Sequence, residues 1–153
     1  MEEEQRGYVE EFGLLFGQFG LPRMFGRVLG ALMIAAPPER TAEELAEDLG
    51  ASRGSISQTT RSLIQLGLVQ RHSRPGERKD YFRIKPGAWH EIMRRETESL
   101  RHFREMAERG LKLMNSGDDP ASRRSLEEMR DFYIYWEREM PAVLERWERE
   151  EAK

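Results

Sequence analysis

The sequence predicts a mainly α-helical chain carrying one short β-hairpin, and three observations support that fold class. Apolar residues recur at three- and four-residue spacing over most of the 153 positions, the period of a helix with one buried stripe. One stretch, Leu68 to Lys85, departs from that period and is divided by Pro75-Gly76. Two short helical segments joined at Gly50-Ala51 lead directly into it.

Composition narrows the class further. With 25 Lys and Arg, 28 Asp and Glu, and 38% hydrophobic residues, the chain suits one compact domain with an appended helical arm, and is too short for two full enzyme domains. The absence of cysteine excludes a disulfide framework, a thiol nucleophile and a cysteine zinc site. The acidic start, Met1-Glu2-Glu3-Glu4, lacks the apolar run of a secretory signal, so a cytoplasmic protein is expected. The longest uncharged stretches, Phe12 to Pro22 and Val28 to Pro38, are 11 residues each. A membrane-spanning helix needs roughly 20, so no membrane association is expected.

Taken in order, Val9, Phe12, Phe16 and Phe19 form one stripe on a helix from about Glu3 to Phe19. Gly20-Leu21-Pro22 breaks it, and Pro22 suits the first position of a second helix because its missing N–H would be unpaired there. That helix should reach about Ala36 before Pro37-Pro38 stops it. Gly13 with Gly17, and Gly26 with Gly30, have the G-x-x-x-G spacing, read here as close packing of helices in a soluble core. Thr41 and Glu44 form a capping box opening a short helix with Ala42, Leu45, Ala46 and Leu49 inward. Gly50 ends it. Ser52 can cap the next helix, to about Leu66, with Ile56, Leu63 and Leu66 buried and Gly67 as its stop. Two short helices with a Gly-containing turn make a helix-turn-helix.

Leu68 to His72 and Tyr81 to Lys85 then read as strands around a type II turn at Pro75-Gly76. A helix-turn-helix followed by such a hairpin is a winged helix with a two-stranded β-wing. From Trp89 the helical pattern returns, with Met93, Leu100, Phe103, Ala107, Gly110 and Met114 on one seam and Glu96 as its polar intruder. Asn115 to Pro120 reads as a turn. The last helix carries the clearest heptad: Leu126, Met129, Tyr133, Trp136, Met140, Val143 and Trp147, with a kink expected at Pro141. This seam is the expected dimer element, the alternative being packing against the helix that starts near Trp89. The domain division is therefore an N-terminal helix (1–21), a winged domain (22–88) and a helical arm (89–153).

Charge is distributed unevenly along this framework. Residues 1–51 carry 4 bases and 10 acids, 52–85 carry 8 bases and 2 acids, and 86–153 carry 13 bases and 16 acids. A basic island over the second helix and the hairpin can recruit phosphate electrostatically, while the acidic remainder is repelled. The recognition helix, 52–66, presents Ser52, Arg53, Ser55, Ser57, Gln58 and Arg61. Arg can donate two bonds to guanine, Gln can pair with adenine, and Ser reaches bases or phosphates. The wing, 73–80, adds Arg74, Arg78 and Lys79 for the backbone or minor groove. Arg71 and Arg83 on the strands are left open between DNA and core, because one strand face must pack inward.

The order of helices, the phrase Leu66-Gly67-Leu68-Val69 and the wing Pro75-Gly76-Glu77-Arg78-Lys79-Asp80-Tyr81-Phe82 resemble the MarR superfamily of winged-helix regulators. Leu21-Pro22-Arg23 with Gly26-Arg27 resembles its GbsR-like branch. The resemblance covers the whole chain. It implies a homodimeric transcriptional regulator whose terminal helices make the dimer and whose recognition helix and wing read a pseudo-palindromic operator in double-stranded DNA. The common MarR wing carries Asp-x-Arg where this chain has Glu77-Arg78-Lys79-Asp80, so that wing-anchoring pair is not carried over.

Other chemistry finds little support. His72, His90 and His102 lie 18 and 12 residues apart, without metal-ligand spacing, and no cofactor is expected. No P-loop, dinucleotide glycine pattern, G-x-S-x-G or H-E-x-x-H occurs, so no enzyme is expected. The aromatics Trp89, Phe103, Tyr133, Tyr135, Trp136 and Trp147 stand open between packing and a cage for an organic cation. The GbsR-like branch includes regulators resembling choline sensors, which keeps that second reading in play. Trp89 with Phe12, Phe16 and Phe19 are the nearest residues for a small-molecule effector pocket, the effector's identity being unknown. A winged-helix protein-interaction module without DNA binding is the alternative function.

Overall fold

A computed structural model describes residues 1–115 and 119–151. Three residues of the turn expected between Asn115 and Pro120 lie outside the described residues. The chain divides into two compact units, Met1–Trp89 and His90–Lys153.

In the first unit, α1 (Glu3–Gln18) and α2 (Arg23–Met33) pack closely. Their approach depends on glycine: a β carbon at Gly30 would lie 3.2 Å from the Phe12 β carbon, and one at Gly26 would collide with the Phe12 carbonyl. The G-x-x-x-G spacing therefore marks helix contact in this unit. Pro22 stands one place earlier than expected, as N-cap, because its ψ of 129° is extended, and Phe25 N–H closes the first turn on its carbonyl at 2.9 Å. The second helix stops at Met33, short of Ala36, since residues preceding a proline avoid the helical region. Val28, Leu29, Ala31 and Leu32 of α2 are all buried, so this helix is the centre of the unit.

The β1 strand (Arg40–Thr41) leads into α3 (Ala42–Leu49), whose capping box forms as expected: Glu44 N–H donates to Thr41 Oγ1 at 3.2 Å and Thr41 N–H to Glu44 Oε2 at 2.7 Å. Gly50 closes the helix in the left-handed region at φ 57°. After it, α4 (Arg53–Gln65) is capped by Ser52, whose Oγ accepts from Ser55 N–H at 3.2 Å. Ile56 and Leu63 are buried. Leu66, expected in the core, is exposed instead. The chain turns at Gly67, and Leu68 N–H returns to the Leu63 carbonyl at 3.0 Å, so Leu68 takes the inward place.

The strands β2 (Val69–Ser73) and β3 (Asp80–Ile84) form the hairpin, and Glu77 N–H bonds the Arg74 carbonyl across Pro75-Gly76, with Gly76 at φ 82°. The sheet has three strands where two were expected, in the order β1-β3-β2 and antiparallel throughout. The third is β1. The extended backbone that leads into the Thr41 cap pairs Arg40 with Phe82 and Thr41 with Tyr81.

The helix expected from Trp89 is divided into α5 (Ala88–Ser99), which crosses the boundary between the units, and α6 (Arg101–Leu113). At Leu100 a tighter bond from Phe103 N–H to the Leu100 carbonyl, 3.0 Å, and the Ser99 hydroxyl on the Glu96 carbonyl, 2.8 Å, interrupt the ladder. The interruption resets the phase, leaving Glu96 exposed and turning Thr97 inward. α7 (Pro120–Glu151) runs helically through Pro141.

In the second unit α6 and α7 pair. Gly110 meets Leu126, Phe103 stacks on Tyr133 with centroids 5.0 Å apart, Arg104 grips both oxygens of Glu137 at 3.0 and 3.2 Å, and Arg94 pairs with Glu148. Partner numbers fall on one side as they rise on the other, so the pairing is antiparallel. Leu126 and Tyr133 of the heptad are therefore engaged within the chain. No residue of α7 is fully buried, and Phe132, Tyr135, Val143 and Trp147 are exposed.

Candidate nucleic-acid interface

Helix α4 has two chemically distinct sides. Ile56, Thr59, Thr60 and Leu63 are buried, and the Thr60 hydroxyl donates to the Ile56 carbonyl at 2.8 Å. The other side exposes Arg53, Ser57, Gln58 and Arg61, with Gly54 and Gln65 completing the strip. Arg53 is the most prominent, its side chain 81% exposed and 4.0 Å from Glu43 of α3. Ser55 is half-buried, and Ser52 serves the helix as its cap, so these two stand at the edge of the strip. Four polar side chains of the types that read base edges thus occupy one exposed helical face, with Arg53 at the end where the helix dipole is positive.

The wing residues separate into two groups. Arg78 and Lys79 are exposed and have no ion-pair partner among the described residues. Arg74, the third wing cation, is engaged within the chain. Its Nε donates to Glu39 Oε1 at 2.7 Å, Nη2 bonds the same carboxylate, and the guanidinium lies 4.3 Å from the centroid of the Tyr81 ring. Arg71 pairs with Asp80 at 3.3 Å, and Arg83 Nε and Nη2 donate to the Gln70 amide oxygen in the amide orientation that satisfies both side chains. Both strand arginines are exposed but bound within the sheet.

Glu39 is the centre of the Arg74 cluster. His72 Nε2 also lies 2.5 Å from its Oε2. The Arg74 hydrogen bond, with the Arg74 charge and the His72 contact adding to it, holds the Glu39 carboxyl below the usual range against the opposing effect of burial. The Tyr81 hydroxyl donates to Glu77, which raises the phenol's pKa. Alternation puts Tyr81 and Phe82 on opposite faces of β3, yet both are buried, Tyr81 with Arg74 and the His72 ring against it. Sequence reasoning missed Glu39: its partners are 33 and 35 residues away, beyond any local spacing rule.

A second unforeseen residue is Arg27. Its Nε donates to Glu10 of α1 at 2.7 Å and its Nη2 to the Leu49 carbonyl of α3 at 2.9 Å, joining three helices just before the turn into α4.

The aromatics named for an effector stay apart from one another in part. Phe12 and Phe16 are ring neighbours at 5.6 Å with Tyr8 beyond, whereas Phe19 and Trp89 are exposed and make no ring contact among the described residues. Arg138 lies 5.1 Å over Tyr135. Among the described residues no group of three His, Asp or Glu side chains could hold a metal ion, and no helix is long and apolar enough to cross a membrane.

Comparison with known proteins agrees with this geometry. Residues 19–80 match the MarR family, and residues 87–150 match the family described as MmpR5-like MarR family transcriptional regulators. The chain is 38% identical over 141 residues to the HTH-type transcriptional regulator MmpR5 of Mycobacterium tuberculosis, covering 92% of this chain and 84% of that one. It is 30% identical over 84 residues to the HTH-type transcriptional repressor OpcR of Bacillus subtilis, covering 55% of this chain and 45% of that protein. A crystal structure of a transcriptional regulator, 35% identical, superposes with a TM-score of 0.77 over 95% of this chain and 99% of that one.

Proposed function

The chain belongs to the MarR family of transcriptional regulators, and on that premise we propose that it is a homodimer binding a pseudo-palindromic DNA operator through recognition helix 52–66 and wing 73–80. The observation that carries this reading is the free face of α4, where Arg53, Ser57, Gln58 and Arg61 stand together in the basic part of the chain. Such a face enters the major groove, with the helix N-terminus toward base edges. The wing then lies where Arg78 and Lys79 meet phosphate or the minor groove. The protein acts in the cytoplasm as a DNA-binding regulator, without a reaction of its own.

Dimerisation belongs to the same proposal. The heptad Leu126, Met129, Tyr133, Trp136, Met140 and Val143 contributes to it through the positions that α6 leaves uncovered. Phe132, Val143 and Trp147 are exposed large hydrophobic residues on one helix, a surface that a second copy would cover. A small-molecule effector near Trp89, Phe12, Phe16 and Phe19 would act by changing the spacing of the two recognition helices. The GbsR-like likeness rests on Leu21-Pro22-Arg23 and Gly26-Arg27, whose roles in this structure are helix capping and packing.

The test is recovery of genomic fragments by the purified protein, followed by titration of one recovered duplex at several salt concentrations. A steep salt slope with preference over scrambled sequence supports the proposal, because phosphate neutralisation releases counterions. Salt-independent or absent duplex binding favours the protein-interaction module.

A further inference from the structure

We propose that Glu39 is the positioning residue of the wing, holding the hairpin from outside so that Arg78 and Lys79 are presented to DNA. This rests on the DNA-binding reading of the wing.

Glu39 lies between α2 and β1, and its side chain is only 12% exposed. From there it binds two residues of the hairpin's first side, His72 Nε2 at 2.5 Å and Arg74 Nε at 2.7 Å. Arg74 immediately precedes the Pro75-Gly76 turn and carries the link across it: its guanidinium covers the Tyr81 ring of β3, and its Nη1 is 3.8 Å from Glu77. Tyr81 in turn bonds Glu77 through its hydroxyl. One carboxylate therefore reaches both strands and both sides of the turn.

The hairpin needs such a tie. A two-stranded hairpin is marginal by itself in water, and β1 supports β3 only at Tyr81 and Phe82. The part beyond these pairs, Ser73 to Asp80, contains Arg78 and Lys79, which form no ion pair among the described residues. Asp80 contributes a lesser brace, accepting from Arg71 and Ser73 at 3.3 Å each on exposed ground.

Positioning and simple electrostatics predict opposite signs. Removing a carboxylate beside a DNA-binding wing makes the surface more positive, so charge alone would tighten binding. Loss of the anchor would instead weaken it. Glu39→Gln and Glu39→Ala should be compared with the native chain, each also in an Arg78→Ala/Lys79→Ala background, on a mixed-sequence duplex of about 30 base pairs, three helical turns.

The expected result is weaker binding by both Glu39 variants and a log–log salt slope lowered by about one to two units, with no further change in the background lacking the two cations. Amide exchange in residues 73–80 should accelerate while exchange in α4 stays as it was. Tighter binding, an unchanged slope, or a loss that adds in full to Arg78→Ala/Lys79→Ala would overturn the assignment. Glu39→Gln keeps the side chain's volume and one acceptor, so it reports even where Glu39→Ala unfolds. Failure of the native chain to bind the duplex would instead remove the DNA-binding reading. In that event accelerated exchange at the wing still upholds the anchor, and unaltered exchange refutes it.

Discussion

Gly26 of α2 lies so close to Phe12 of α1 that a β carbon added to it would sit 2.2 Å from the Phe12 carbonyl oxygen and 2.8 Å from the Gly13 α carbon. Both obstacles are backbone and cannot rotate away. Gly26→Ala should therefore force the two helices apart, at a cost of about 2–4 kcal/mol. Gly7 offers the opposite case in α1, since nothing lies within 4 Å of its added β carbon. Gly7→Ala should stabilise by about 0.5–1 kcal/mol by restricting the unfolded chain and raising helix propensity. Urea denaturation of the two variants checks both signs.

Arg27 supplies the polar counterpart to that packing. Replacement by Met keeps much of the stem but strands the Leu49 carbonyl and frees Glu10. The expected cost is about 1–2 kcal/mol, at the lower end because Glu10 is nearly half exposed and is readily rehydrated. Arg27→Lys should fall between, since one ammonium cannot reproduce the guanidinium's fork. Denaturation midpoints at matched slopes measure it, and a Lys variant equal to native would show that charge alone suffices.

Local rules made much of the winged unit legible in the sequence. The Thr41–Glu44 box, the Ser52 cap and the Pro75-Gly76 turn each depend on residues three apart or fewer, and all three form. The free face of α4 followed from helical period alone. Features set by distant partners were illegible. Glu39 finds Arg74 only after the sheet assembles, and β1 exists because Thr41 meets Tyr81. The interruption at Leu100 carries no Gly or Pro to announce it; the misplaced Glu96 on the expected seam was its one trace. The α7 heptad was readable as a stripe, but its period could not say that Leu126 and Tyr133 would face α6 of the same chain.

Helix and wing should fail differently when altered. Arg53→Ala or Gln58→Ala is expected to cost about 1–3 kcal/mol and to relax preference at particular operator positions. Arg78→Ala or Lys79→Ala should weaken binding to all sequences and flatten the salt slope by about one unit each. Titrating recovered and scrambled duplexes at several salt concentrations separates the two patterns. Specificity lost through the wing, with affinity alone lost through α4, would reverse the assignments.

The exposed hydrophobic residues of α7 give a test of dimerisation that leaves the chain's own packing intact. Val143 and Trp147 are each about half exposed. Introducing Glu at both should therefore change the fold little while placing two charges in the proposed interface. Light scattering should show the native chain at twice the monomer mass and the double variant at the monomer mass. The double variant should also bind a single half-site and a full operator about equally, since paired reading requires recognition helices about 34 Å apart. A native monomer, or a double variant of undiminished mass, would exclude this surface.

Acid should undo the Glu39 anchor, and its sign follows from the direction of the carboxyl's pKa. Arg74 and His72 on the β2 side of the hairpin face this carboxylate, with Tyr81 beneath Arg74 and Glu77 beyond it, and the Arg74 bond lowers the folded pKa below the ordinary Glu value. The unfolded chain consequently takes up a proton at a higher pH than the folded one. The stabilisation is complete above the ordinary Glu range, and it is lost as pH falls through that range toward the lowered folded value. Groups remote from Glu39 are shared by the native and Glu39→Gln chains and cancel to first order in their difference; His72 touches Glu39 and does not cancel, so the gap is followed below the ordinary imidazole range, from about pH 5 downward. Thermal midpoints should show the native chain ahead at about pH 5, with the gap closing as pH falls further through the carboxylate range. A gap that stays level, or widens toward acid, would mean that the charge of Glu39 contributes nothing to holding the hairpin.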